Sequence, residues 1–211
     1  MVTGPKATDA ALEKTAYLID RVLANVDSKV VQKMNENGFR HAVMAAYPKE
    51  LTTDIPEHSF LTPADYWNER ARGLGGTIDH PLGSNAEENA LCHSNDRYLG
   101  EDITIHEFAH SLHLVGLSQV YPDFDAKLNK AYRSAKSSNI WGSHYGMTNK
   151  NEYWAEGVQS YFNANYADSQ APTDDRDQLK ASDRNLYDLI DKYLGGNKWK
   201  WESCLDTILD I

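Results

Sequence analysis

The chain has 211 residues, enough for one domain with a sizeable core, and its 31 acidic against 21 basic side chains leave a net charge of −10. That balance offers no cationic footprint for nucleic acid or for an anionic membrane. No apolar run approaches the roughly 20 residues of a membrane-spanning helix.

Residues 1–8 are expected to form a loose tail, and residues 1–211 as a whole a single domain. Ala10 to about Ala24 carries apolar residues at helical spacing (Ala11, Leu12, Leu18, Ile19, Val22), and Ser28 to Asn37 reads as a second helix or helical turn. Ala42 to Tyr47 reads as a short buried strand closed by Pro48. Pro63 to about Arg72 reads as a helix with proline in its first turn. The run Gly73-Leu74-Gly75-Gly76 then admits two readings. One is a flexible connection; the other is an edge strand whose bare backbone lets a substrate peptide pair alongside it.

His106-Glu107-Phe108-Ala109-His110 is an H-E-x-x-H run in a segment with Asp102 as N-cap, an apolar surface of Ile103, Ile105, Phe108 and Leu112, and Gly116 as stop. Residues four apart share one helix face, so His106 and His110 can present two imidazoles to one zinc ion. Glu107 falls beside them, where it can take a proton from water. A catalytic zinc needs a third protein ligand. His113 points away from a metal held by the other two, and position 116 is glycine, so the longer pattern with a third histidine fails. A carboxylate from elsewhere is expected.

Phe124 to about Ser137 reads as a helix, followed by a loop over residues 138–148. A further helix carries Glu152 and Glu156, four apart on one face, and runs to about Asn165. Two stacked acids repel each other unless a cation sits beside them. One would bind metal and the other would accept the second N–H of a ligand imidazole. Spacing alone does not say which. Residues 167–176 read as a solvated loop. Leu179 to Leu194 reads as a helix ended by Gly195-Gly196, and Trp199, Trp201, Leu205, Ile208 and Leu209 as a tail that docks on the core.

The block from Tyr145 through Gly146, Thr148, Asn149 and Glu152 to Glu156, following H-E-x-x-H, resembles the zinc metallopeptidase family of the anthrax lethal factor catalytic domain and the Pro-Pro endopeptidases. The resemblance covers about residues 102–162. It implies Glu152 as third zinc ligand, the Tyr145 hydroxyl as an aid to catalysis and Glu156 as support. It does not carry over substrate choice.

The resulting expectation is an α+β, helix-rich, zincin-like metallopeptidase domain with a small mixed sheet. One zinc is held by His106, His110 and Glu152, with Glu107 as general base and Tyr145 as oxyanion donor on a peptide or protein substrate. The alternatives are a zinc-binding interaction module without turnover, or a zinc amidase on a non-protein substrate. Secretion is expected, with any signal already removed, and Cys92 and Cys204, the chain's two cysteines, are expected to form one bridge.

Overall fold

A computed structural model describes residues 2–3, 6–165 and 173–202. Six of its described helices start where a short polar side chain satisfies a first free amide. Thr8 accepts from Ala11 N at the head of α1 (Asp9–Leu23), which buries Ala11, Thr15, Leu18 and Val22 along one stripe. Asp27 caps α2 (Ser28–Glu36), which buries Val30 and Met34.

Three strands form a parallel sheet in the order β1-β2-β3: β1 (Val2–Thr3), β2 (Arg40–Met44) and β3 (Leu82–Ala86). Val2 pairs with Ala42, and Arg40 with Leu82. The one antiparallel contribution to this sheet among the described residues is a bridge from Leu74 to Ser84. Two expectations change here. Val2–Thr3, placed in a loose tail, pairs with Ala42 and Val43 along one side of β2. The expected strand 42–47 begins two residues earlier and ends at Met44. β3 escaped notice because Leu-Gly-Ser-Asn-Ala lacks both alternation and β-branched residues. Its buried polar groups are met internally: Ser84 Oγ lies 2.9 Å from His58 Nε2, and Asn85 pairs with Thr15 and His41.

Between β2 and β3 lies α3 (Ala64–Arg70), and α4 (Glu87–Ala90) follows β3. Asp102 caps the central helix α5 (Ile103–Ser111), accepting from Ile105 N over 2.9 Å. α5 does not stop at Gly116. It continues through a wide π-helical segment, Leu112–Leu117, into α6 (Ser118–Val120). Gly116 is a packing position instead: a Cβ there would stand 2.8 Å from Val30 Cγ1 on α2.

α7 (Phe124–Ser137) precedes α8 (Lys150–Tyr161), whose first amides are taken by the Asn149 side chain. The expected helix 179–194 is two helices, α9 (Arg176–Ser182) and α10 (Arg184–Tyr193). Asp183 breaks the run by capping α10 while also accepting from Trp141 Nε1. The core gathers Phe108, Leu112, Phe124, Trp141, Trp154 and Val158 around α5 and α8. Trp201 docks on it, its amide bonded to Phe162 O. Leu205, Ile208, Leu209 and the expected Cys204 partner of Cys92 lie outside the described residues. Among the described residues no helix is long and apolar enough to cross a membrane. The architecture is helix-rich α+β.

Candidate metal and catalytic site

α5 and α8 cross at the centre of the molecule, and the contact is fixed from behind. Ile105, Phe108, Ala109 and Leu112 bury the far side of α5, and the Trp154 indole of α8 donates to Ala109 O over 2.9 Å. This leaves His106 and His110 facing Glu152. The three inward atoms form a nearly equilateral triangle: 3.2 Å between the two Nε2 atoms, and 3.3 and 3.1 Å from them to Glu152 Oε2. Among the described residues this trio is the group of His, Cys, Asp and Glu side chains that could hold a metal.

The His106 ring has its tautomer set from the rear. Its Nδ1 lies 2.7 Å from Gln159 Oε1. The Gln159 amide nitrogen faces Asp102 O at 3.2 Å, and Ala164 O and Glu101 Oε2 at 3.4 Å, so it is the oxygen that turns to the imidazole. Nδ1 therefore donates its hydrogen to Gln159, and Nε2 is the ring atom turned into the triangle. Glu156, expected to accept that hydrogen, stands 3.8 Å from Nδ1, beyond hydrogen-bond range. It accepts instead from Asn165 and lies 3.9 Å from His144 Nε2. Gln159 is the residue sequence reasoning missed. Its signal was position: 152, 156 and 159 share one face of α8.

The site is rich in negative charge. Burial works against protonation of His106, yet the bond to Glu152 and the charges of Glu107 and Glu156 push its pKa up to about 10. Burial opposes ionisation of Glu152 too, but its bonds to the two imidazoles hold it well below the usual carboxylate range. Burial pushes Glu107 upward. Burial and the nearby Glu156 charge raise Glu101 to about 7. Such a cluster favours a cation among the three donors.

Residues 73–76 lie directly on α5. A Cβ on Gly73 would meet Ile103 Cγ2 at 2.6 Å and Glu107 Cγ at 2.9 Å; one on Gly75 would meet His110 Cβ at 2.3 Å. Only glycine fits so close a passage. Leu74 exchanges both main-chain bonds with Ser84, and Gly76 N donates to Ser111 Oγ. The segment is thus an ordered edge beside the helix rather than a free connection.

Tyr145 begins a 3₁₀ turn (Tyr145–Met147) whose first free amide, Gly146 N, is taken by His144 Nδ1. Its hydroxyl meets Arg70 of α3, another residue the sequence did not single out, at 3.3 Å. The cleft has two lobes, of about 440 and 400 Å³. They meet at Arg70, Gly73, His106, Glu107 and Tyr145. His144, Glu101 and Glu156 line one lobe; Trp67, Leu74 and Glu152 line the other. His113 is not part of the site. It is buried against Phe124 and Trp154, with Nε2 3.2 Å from Asp125.

No family model matches the chain, and no curated protein matches it. Among solved structures it is similar to the Pro-Pro endopeptidase (PPEP-2) from Paenibacillus alvei, with a TM-score of 0.57 over 90% of this chain and 95% of that one. The two are 16% identical, so the likeness is one of fold.

Proposed function

We propose that this chain is a zinc-dependent endopeptidase, acting as a single catalytic domain with one zinc ion held by His106, His110 and Glu152. The observation that carries the reading is the donor triangle. A tetrahedral zinc with bonds of roughly 2.0–2.1 Å sets its ligand atoms roughly 3.3 Å apart, and the three sides measure 3.1–3.3 Å. Two imidazoles and a carboxylate are also the donor set of hydrolytic zinc sites. When bound, the ion would act as a Lewis acid that polarises the scissile carbonyl and acidifies a water.

The remaining work falls to side chains of this chain. Glu107, at the junction of the two lobes, takes the proton of the attacking water and passes it to the leaving amine. Burial raises its proton affinity, which suits both halves of that exchange. The Tyr145 hydroxyl donates to the oxygen on which negative charge develops. Gln159 keeps the His106 lone pair aimed inward, and Glu156 sits behind with His144. Residues Gly73 to Gly76 offer an edge along which an extended peptide can pair as an added strand. The fold shared with a Pro-Pro endopeptidase supports a peptide substrate, and prolyl-proline sequences belong in any first test.

That test is hydrolysis of a peptide library, including prolyl-proline peptides, read by mass spectrometry with zinc chelated and then restored. Zinc-dependent cleavage is expected. Glu107→Gln should retain zinc and lose on the order of 10²–10⁴ in turnover, and Tyr145→Phe on the order of 10²–10³. Stoichiometric zinc without cleavage would leave a metal-binding module in place of the enzyme.

A further inference from the structure

Tyr145 stands on a three-residue turn and is 46% exposed, so packing alone does not fix its ring. A polar contact from the opposite wall does. Arg70 Nη2 donates to the phenol oxygen over 3.3 Å. A guanidinium has donors and no acceptor, so this bond occupies a lone pair on the oxygen and leaves the phenol hydrogen to be given elsewhere. The phenol lines the same lobe of the cleft as His106, His110 and Glu152, so that hydrogen is available on the side of the donor triangle.

Arg70 is itself held independently of the Tyr145 turn. It is the last residue of α3, and its carbonyl accepts from the Tyr98 hydroxyl at 3.2 Å. The carbonyl of Glu69, one residue earlier, accepts from Arg97. The guanidinium carbon lies 5.8 Å from the centroid of the Trp67 ring, within cation–π range. The two lobes of the cleft meet at the Arg70–Tyr145 pair and at Glu107.

We infer that Arg70 is a positioning residue: it fixes the Tyr145 ring across the cleft and orients its hydroxyl as a donor toward the reacting carbonyl. The catalytic half of this inference rests on the peptidase reading. The positioning half does not. A cation on the phenol oxygen also strengthens the phenol as a donor, so the effect belongs to the transition state more than to substrate binding.

The experiment compares wild type, Arg70→Met, Arg70→Lys, Tyr145→Phe and the Arg70→Met/Tyr145→Phe double variant, on a peptide the library assay selects. Arg70→Met keeps the length without a donor and should lower kcat about 10- to 100-fold, with KM changed less than about twofold. Arg70→Lys, which keeps a cationic donor, should recover part of the loss. In the Tyr145→Phe background Arg70→Met should cost less than about twofold further, because its target is gone. In parallel, protein labelled with ¹³Cζ-tyrosine reports the ring directly, the Tyr145 line being the one missing from Tyr145→Phe. Arg70→Met should shift that line. Fully additive losses in the double variant, or an unmoved Tyr145 line, would overturn the proposal. If wild type cleaves no peptide, the peptidase reading falls and the labelled line alone judges the hold of Arg70 on Tyr145. A shifted line sustains it and an unshifted one ends it.

Discussion

His106, Glu107 and His110 are legible because their chemistry is compressed into five consecutive residues, whose helical spacing alone defines a face. Glu152 and Glu156 are legible as a pair but not in their roles, since both share one face of α8. What separates them is reach: Glu152 Oε2 closes the triangle with both histidines, while Glu156 stays behind the ring. Gln159 and Arg70 escaped because an uncharged amide and a surface arginine carry no signal without their neighbours. Zinc affinity should therefore fall in a defined order. Glu152→Ala removes a ligand atom and should abolish stoichiometric binding. Gln159→Leu leaves the His106 Nδ1 hydrogen without its acceptor and should cost about 10–100-fold in affinity. Glu156→Ala should be the mildest of the three. Competition with a chromophoric chelator gives the ranking, and a milder effect from Gln159→Leu than from Glu156→Ala would return the supporting role to Glu156.

Elements were most legible where a cap and an apolar stripe coincide, as in α1, α5 and α8, and least where the structure answers to packing. Gly116 is the clearest case. Read along the chain it is a helix stop; in space it is the place where α2 comes too close for a side chain. Gly116→Ala should gain up to about 1 kcal/mol of helix propensity and lose about 1–3 kcal/mol to overpacking against Val30 and Met34. A net loss of about 1 kcal/mol in urea unfolding is expected, and a gain would show that α2 yields freely. β3 makes a second case, because its stability is tied to a histidine. His58, bonded to Ser84, has its pKa pushed down to about 4 by burial. As pH falls, the unfolded chain protonates at about 6.5, before the folded one does. The stabilising contribution of neutral His58 is thus complete above about pH 6.5 and is lost on the way down to about 4. The stability of wild type relative to His58→Gln should drop by about 2 kcal/mol between pH 7 and pH 5. A pH-independent difference would mean that His58 is solvated in the folded protein.

At the scale of the whole molecule, the donor triangle joins α5 to α8, so a metal held there would also be a cross-link between helices. A ligand that binds only the native state adds stability by mass action, about 4 kcal/mol at a thousandfold excess over Kd. For a chain of this size that corresponds to roughly 10 °C in Tm. Calorimetry should show a fall of that order on chelation and recovery with one equivalent of zinc per chain. An unchanged Tm would mean that α5 and α8 hold their places without the ion. The helix-rich α+β class was readable from motif and periodicity together. The parallel sheet was not, because its pairings join segments some 40 residues apart and the Gly-Ser-Asn middle of β3 gives no strand pattern.

His106 and His110 precede Glu152 by 46 and 42 residues. During synthesis the two histidines leave the ribosome well before their partner, and before Tyr145 and Gln159 as well. Over that interval the nascent chain has a base and two donors, but neither the third donor nor the amide that aims His106. On the proposed reading it cannot cut itself or its neighbours until α8 has emerged and packed on α5. On that reading the sequence distance between the two halves of the site serves as a delay, and competence to hydrolyse would arrive only once α8 has packed on α5.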